Sequence, residues 1–127
     1  MSSIVLDASA VLALTNAEPG AELVESRLGE SVISAVNVAE VAGKYAAEGL
    51  PPERVRARLD SLDLRVVPFD ETQAIDAGLL RAVTKPFGLS LGDRACLTFA
   101  LLSGLPVLTA ERAWARLDLG VEVVLIR

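Results

Sequence analysis

The stretch IVLDASAVLAL, residues 4–14, sets the pattern that the rest of the chain follows. Its first three residues are apolar and form a strand candidate that stops at Asp7. Apolar side chains then recur at helical spacing, at Ala10, Val11 and Leu14. A strand this short and continuously apolar is typical of a parallel sheet covered on both faces. The opening stretch therefore predicts an α/β protein.

The same alternation of strand and helix continues to the end of the chain. The further strand candidates are 31–33, 64–67, 106–108 and 121–126. The further helix candidates are 21–28, 34–48, 51–62, 70–84, 91–103 and 110–117. This order predicts a three-layer α/β/α sandwich with a central five-stranded, mostly parallel sheet. The helix at 91–103 is apolar on nearly all sides, which predicts that it is buried.

Length and composition favour one domain without a membrane anchor. The 127 residues contain no repeat, low-complexity stretch or linker, so we expect a single domain over residues 1–127. No apolar run approaches the ~18 residues that a bilayer span needs, and the first residues lack the pattern of a signal peptide. Cys96 is the only cysteine, which excludes an internal disulfide and favours a cytoplasmic protein.

The chain contains no histidine. This excludes Ser-His-Asp and Cys-His nucleophile systems and makes a zinc site a poor interpretation. Any catalysis must use carboxylates, hydroxyls, Lys, Arg, or a metal held by oxygen ligands. The net charge of −5 means that a nucleic-acid partner would be met by a local basic rim or by bound cations.

Four acids follow the predicted strands in a way that brings them to one edge of the sheet. Asp7 ends the first strand, Glu40 lies in the helix after the second, Asp93 begins the helix that leads to the fourth, and Glu111 follows the fourth. In open parallel sheets, ligands bind outside the carboxyl ends of the strands. We therefore expect Asp7, Glu40 and Glu111 to meet there, joined by Asp93 if the start of its helix faces the crevice.

Local structure offers a second explanation for three of these acids. Ser90 and Asp93 have the spacing of a capping box, in which the acid serves its own helix. Glu40 and Lys44 form an i,i+4 pair on a polar stripe with Asn37, as on a solvated helix face.

For Glu111, the helix dipole favours an acid in the first turn, with Thr109 as the N-cap. Asp7 is different, because no capping partner is evident and a desolvated acid without a partner costs stability. Acids of that kind mark functional sites.

Four motifs around these acids resemble those of the PIN-domain ribonucleases, above all the toxin subunits of VapBC toxin–antitoxin pairs. The resemblance covers the whole chain, with the motifs in order and at the usual spacing. The motifs are VLDASA at 5–10, NVAEV at 37–41, LGDRA at 91–95 and LTAERAW at 108–114. The catalytic acids that the resemblance implies are Asp7, Glu40, Asp93 and Glu111.

The resemblance implies an endoribonuclease whose acids bind Mg²⁺ or Mn²⁺, metals that prefer oxygen ligands. It makes Asp7 and Asp93 direct metal ligands, with Glu40 either a ligand or the group that orients the attacking water. Glu111 departs from the family, which usually has Asp there. The carboxylate then lies one methylene further out, so we expect Glu111 to act through a water.

Hydroxyls and cations near the acids complete the predicted site. Ser9 and Thr109 are close enough in sequence to hydrogen-bond the metal ligands. The candidates for contact with the RNA backbone are Lys44, Arg94 and Arg112.

The resemblance also implies protein partners. We expect an antitoxin that wraps the chain and places a basic side chain among the acids. Apolar residues make up 52% of the sequence, a share that favours apolar surface covered by a partner or by a second copy. The resemblance implies that two copies pair through apolar helices, and thus a homodimer within a toxin–antitoxin hetero-oligomer.

Two other functions remain as alternatives. One is a catalytically silent α/β module that only binds a partner. The other is a receiver-like phospho-acceptor domain, but a receiver carries its acceptor Asp at the end of a middle strand, and here the third strand candidate ends at Val67 before Pro68.

Overall fold

The computed structural model describes residues 2–127, in which five strands alternate with helices. The strands are β1 (Ile4–Leu6), β2 (Ser31–Ser34), β3 (Val66–Val67), β4 (Val107–Thr109) and β5 (Val123–Leu125). The α-helices are α1 (Ala8–Thr15), α2 (Ala21–Arg27), α3 (Ala35–Ala47), α4 (Pro52–Ser61), α5 (Glu71–Val83) and α6 (Leu91–Ser103). Short 3₁₀ turns occupy Leu28–Glu30, Lys85–Phe87 and Arg112–Arg116.

The five strands form one sheet in the order β3-β2-β1-β4-β5, and every pairing is parallel. Strand β1 is central, where Val5 pairs with Val32 on one side and with Val107 on the other. Asp7 follows β1 directly and therefore lies at the middle of the carboxyl edge of the sheet.

Each face of the sheet packs against its own apolar core. Side chains alternate across a strand, so Ile4 and Leu6 join the core beneath α1, α2 and α3, while Val5 joins the core beneath α6. The second core also buries Trp114, which is 2% exposed. The predicted three-layer α/β/α sandwich is confirmed.

Local sequence signals set several helix ends as expected. Ser34, Asp70 and Ser90 accept hydrogen bonds from the backbone N–H groups of the helices that they begin. Gly104 ends α6 in the left-handed conformation, which favours glycine.

Three sequence predictions differ from the structure. Strand β3 has two residues rather than four, and Val66 is exposed because β3 lies at the edge of the sheet. The predicted helix at 110–117 is a 3₁₀ turn, Arg112–Arg116. Helix α6 is not buried all round, since Leu101 and Leu102 are exposed on the side that faces away from the sheet. Within residues 2–127, no helix is long and apolar enough to span a bilayer.

Candidate active site

The four predicted acids line one open cleft at the carboxyl edge of the sheet. The cleft has a volume of about 230 Å³. Its lining residues are Asp7, Ala8, Ser9, Leu12, Glu40, Lys44, Asp93 and Glu111. The acids come from four separate parts of the chain, and only the parallel sheet brings them together.

Asp7 lies at the bottom of the cleft and is 3% exposed. Its Oδ2 accepts hydrogen bonds from Ser9 Oγ at 2.6 Å and from Thr109 Oγ1 at 2.9 Å. The two hydroxyls in turn accept from the backbone N–H groups of Ala110 and Glu111. Both hydroxyls therefore link Asp7 to the turn after β4, which fixes that turn against the end of β1.

Burial is the main influence on the pKa of Asp7. Loss of hydration raises that pKa from 3.8 to about 6, against the lowering effect of the bonds from Ser9 and Thr109. The negative charges of Asp93 and Glu40 are smaller causes that also raise the pKa and are included in this value. The three carboxyl groups are therefore close enough to repel one another.

Glu40 reaches the cleft from α3 and is held by a buried amide. Asn37 Nδ2 donates to Glu40 Oε1 at 2.7 Å and to the Gly92 carbonyl at 3.0 Å. Partial burial raises the pKa of Glu40, the bond from Asn37 lowers it, and the charge of Asp93 raises it. The predicted solvated stripe is wrong for Asn37, which is fully buried because it faces α6. Within residues 2–127, no ion pair joins Glu40 to Lys44.

Asp93 caps its helix and also lines the cleft. Its Oδ2 accepts from the Ser90 N–H at 3.0 Å, and Ser90 Oγ accepts from the Asp93 N–H at 3.1 Å, so the predicted capping box is present. The side chain is half-buried, and its charge acts on both Asp7 and Glu40. The local explanation and the functional one thus apply to the same carboxylate.

Glu111 lies at the rim of the cleft and is exposed. Its backbone N–H donates to Thr109 Oγ1, but Glu111 itself is the N-cap of the 3₁₀ turn and Thr109 ends β4, so the predicted N-cap role of Thr109 is wrong. The Glu111 side chain projects from the start of the 3₁₀ turn at Arg112–Arg116.

The three predicted RNA-contacting cations take different positions. Lys44 lines the cleft beside the acids. Arg112 is exposed next to Glu111, outside the lining of the cleft. Arg94 also lies outside the lining, and its guanidinium donates to the Ala77 carbonyl at 2.8 Å. Successive side chains on a helix point about 100° apart, which is why Arg94 leaves the cleft that Asp93 lines.

The donor chemistry of the cleft fits a hard divalent cation. Every acidic group that lines it offers oxygen, and the mutual repulsion at Asp7 is relieved by positive charge. Among residues 2–127, however, no three acidic or sulfur side chains converge tightly enough to form a ready-made metal cage. A cation such as Mg²⁺, which keeps several waters, is suited to carboxylates spaced in this way.

Two residues of the site were missed by the sequence analysis. Asn37 links Glu40 to Gly92 across 55 positions of sequence, so no local pattern could reveal the contact. Gly92 is buried, and a Cβ there would overlap the Glu40 carboxyl group. The only available signal was the occurrence of both residues within the motifs quoted above.

Solved structures with the same fold include several toxin–antitoxin complexes. A chain of the DNA-bound VapBC from Salmonella typhimurium is 25% identical, with 100% of both chains covered and a TM-score of 0.76. A chain of VapBC-1 from nontypeable Haemophilus influenzae is 19% identical, with 97% of each chain covered and a TM-score of 0.74. A toxin–antitoxin complex from Klebsiella pneumoniae is 23% identical, with 98% of each chain covered and a TM-score of 0.70.

Sequence comparison gives the family. A search of curated proteins found no significant match. The profile of the PIN domain matches residues 4–119, which include all four segments that line the cleft, from the end of β1 to the turn after β4. That match, the sheet order and the shared fold of the VapBC chains lead to one conclusion: this chain belongs to the PIN domain family.

Proposed function

We propose that this chain is a metal-dependent endoribonuclease, the toxin of a type II toxin–antitoxin system, that acts as a single PIN domain over residues 1–127 in the cytoplasm. The PIN domain and the likeness to chains of VapBC complexes support a nuclease toxin. One observation carries the proposal, namely that carboxylates from four separate segments line one cleft and that three of them, Asp7, Glu40 and Asp93, repel one another there.

The acids have different parts in this proposal. Asp7 and Asp93 would hold Mg²⁺ or Mn²⁺ directly, Glu40 would hold it or orient the attacking water, and Glu111 would act through a water. When bound, such a cation lowers the pKa of a water and neutralises charge on the phosphate oxygens. Ser9 and Thr109 fix the orientation of the Asp7 carboxylate by donating to its Oδ2.

RNA is the proposed substrate, and its backbone needs cations at the rim. Lys44 lies in the cleft lining and Arg112 beside Glu111, and these positions support a role for both in contacting phosphates. Arg94, which donates to a backbone carbonyl, is left out of this proposed contact surface.

The first test is the metal requirement. We expect the purified chain to cleave total RNA with Mg²⁺ or Mn²⁺, to lose cleavage in EDTA, and to be insensitive to histidine-modifying reagents. The Asp7→Asn variant, purified in parallel, controls for contaminating nucleases. Full cleavage in EDTA, or equal cleavage by the variant, would contradict the proposed mechanism.

The same assay separates the alternatives. A silent partner-binding module would cleave no RNA under any metal condition. The receiver-like alternative is unsupported, because the third strand of the chain, β3, is a two-residue edge strand followed by Pro68 and has no acid at its end.

Glu111 gives a prediction of graded effect. An extra methylene extends the carboxylate by about 1.5 Å, one C–C bond, while Mg²⁺ demands nearly ideal geometry. We therefore expect Glu111→Ala to weaken cleavage far less than Asp7→Ala, and Mn²⁺ to support a faster rate than Mg²⁺. Glu111→Asp should retain or raise the Mg²⁺-supported rate. Cleavage rates across a titration of each metal measure this; a dead Glu111→Ala with an impaired Glu111→Asp would make Glu111 a direct ligand.

The proposed protein partners are an antitoxin and a second copy of this chain. An antitoxin is supported by the VapBC complexes, and the acid-lined cleft suits a basic side chain from it. For the homodimer, α5 exposes Ile75, Leu79 and Val83 in one stripe, at 56%, 68% and 63%.

The dimer proposal predicts the effect of one charge on that stripe. We expect Leu79→Glu to make the chain monomeric in light scattering after size exclusion, with unchanged thermal stability. The matched control is Val66→Glu, which adds the same charge at an exposed apolar position on the edge strand β3. A dimer that persists in Leu79→Glu would contradict the assignment of this face.

A further inference from the structure

Asn37 is the only fully buried amide in the part of the chain that the structure describes, and it lies between two elements of the cleft. Both of its bonding partners are acceptors, the Glu40 carboxylate and the Gly92 carbonyl. Only the NH₂ group of an amide can donate to two acceptors, because the amide oxygen can only accept. The two partners therefore fix which end of the Asn37 amide faces them. Both N–H groups are used, and Oδ1 is buried with no partner among residues 2–127.

A buried amide with an unpaired oxygen costs stability, so its retention points to a role other than folding. The amide ties α3 to the first turn of α6, and thereby Glu40 to the element that carries Asp93. It is the positioning contact for a carboxylate that is otherwise exposed on a flexible side chain.

Gly92 lies against the same carboxylate. The Glu40 carboxyl group lies against the bare Cα of Gly92, in space that a Cβ would occupy. Gly92 has no positive φ, so its backbone does not require glycine. The need for glycine there comes from the position of the Glu40 side chain.

We propose that Asn37 and Gly92 together position the Glu40 carboxylate. Asn37 donates a hydrogen bond to the carboxylate, and the absence of a Cβ at Gly92 leaves the space that the carboxylate occupies. This inference rests on the proposed function, since it gives Glu40 its place beside the metal-binding acids. Neither residue touches metal or RNA in this proposal; both act through Glu40. Supporting residues of this kind change metal affinity or activity by about 10- to 100-fold when removed.

The test uses the full chain and two independent variants, Asn37→Ala and Gly92→Ala. There are two readouts. The first is Mn²⁺ binding without RNA, measured by electron paramagnetic resonance, and the second is the metal-saturated cleavage rate. We expect each variant to lower the Mn²⁺ affinity, the rate, or both by about 10- to 100-fold. Whichever quantity Glu40→Gln lowers should be the one that these variants lower.

Matched controls separate positioning from folding. Gln73→Ala removes another buried amide whose oxygen has no partner within residues 2–127, far from the cleft on α5. Gly78→Ala adds a Cβ within a helix where nothing lies within 4 Å. In thermal melts in EDTA, Asn37→Ala and Gln73→Ala should shift the melting temperature by similar amounts. Gly92→Ala should be no less stable than Gly78→Ala. Neither control should alter Mn²⁺ binding.

The decisive measurement repeats both variants in a Glu40→Gln background. If Asn37 and Gly92 act through the Glu40 carboxylate, each should then add no more than about a twofold loss. The proposal would be overturned if each variant caused the same 10- to 100-fold loss in the wild-type and Glu40→Gln backgrounds. It would also be overturned if the variants caused no loss in either background. A wild-type chain that neither binds Mn²⁺ nor cleaves RNA would overturn the proposed function as well, whereas additive losses in an active wild type would overturn this inference alone.

Discussion

Replacing Asp7 with Asn should abolish RNA cleavage and, at the same time, make the metal-free chain more stable at pH 7. The amide keeps the shape of the side chain, and its oxygen retains the bonds from Ser9 and Thr109. What the substitution removes is a buried charge that Asp93 and Glu40 repel. The pKa of about 6 corresponds to a gain of about 1–3 kcal/mol in the free energy of unfolding at pH 7.

The sign of the effect gives it a defined pH dependence. The folded chain binds the Asp7 proton more tightly than the unfolded chain does, because the folded pKa lies above 3.8. Wild-type stability that comes from this group is complete at low pH and is lost as the pH rises through about 6. The stability difference between Asp7→Asn and wild type should therefore grow as the pH rises from 3.8 to about 6, and it should level off above pH 6.

Thermal melts in EDTA across this pH range, together with cleavage assays in Mg²⁺ and Mn²⁺, measure both effects. Asp118→Asn removes an exposed acid outside the cleft and should change neither property. A loss of stability in Asp7→Asn at neutral pH would show that the carboxylate is structural, and retained cleavage would remove Asp7 from the proposed mechanism.

Asp93→Asn should reduce cleavage by about 100-fold or more, the scale of effect that misplacing a catalytic group produces. The reason is the loss of a carboxylate charge beside Asp7 and Glu40, since the Asn oxygen still accepts from the Ser90 N–H. The folding cost should stay below that of a lost cap, about 1 kcal/mol.

Ser90→Ala is the matched control for the helix cap. It breaks the other half of the capping box and leaves the Asp93 charge in the cleft. We expect it to lose about 1 kcal/mol of stability and to keep cleavage close to the wild-type rate. If melts and cleavage rates show that both variants lose activity in proportion to stability, Asp93 contributes only through its helix.

The fold could be predicted from the sequence because its signals are local. Each strand is a short apolar run, and β1 is followed by an acid that stands at the N-cap of α1 but whose side chain makes no cap hydrogen bond. Helix starts at Ser34, Asp70 and Ser90 carry side chains that bond the first turn, so their positions follow from single residues. The gathering of the acids then follows from one rule about the carboxyl ends of parallel strands.

The remainder depended on contacts between distant segments. Asn37 shares the polar positions of α3 with Glu40 and Lys44, and only the packing of α6 shows that it is buried. Arg94 was expected at the rim because it follows Asp93, yet the helical turn directs it to α5. Leu101 and Leu102 look like core residues in composition, but the sheet covers only one side of α6.

The burial of Cys96 supplies the chain with an internal reporter of its own opening. The thiol is fully buried and is the only one in the sequence. Burial raises its pKa well above the usual value, and the charges of Asp7, Asp93 and Glu40 raise it further, so the reactive thiolate is suppressed while the chain is folded. Alkylation of Cys96 by a small reagent is then limited to molecules that have opened, and its rate follows the open population when reclosing is fast. A ligand that binds only the folded form lowers that population and therefore slows the labelling of Cys96. The labelling rate can thus rank cations, RNA and a protein partner by how much each stabilises the folded chain.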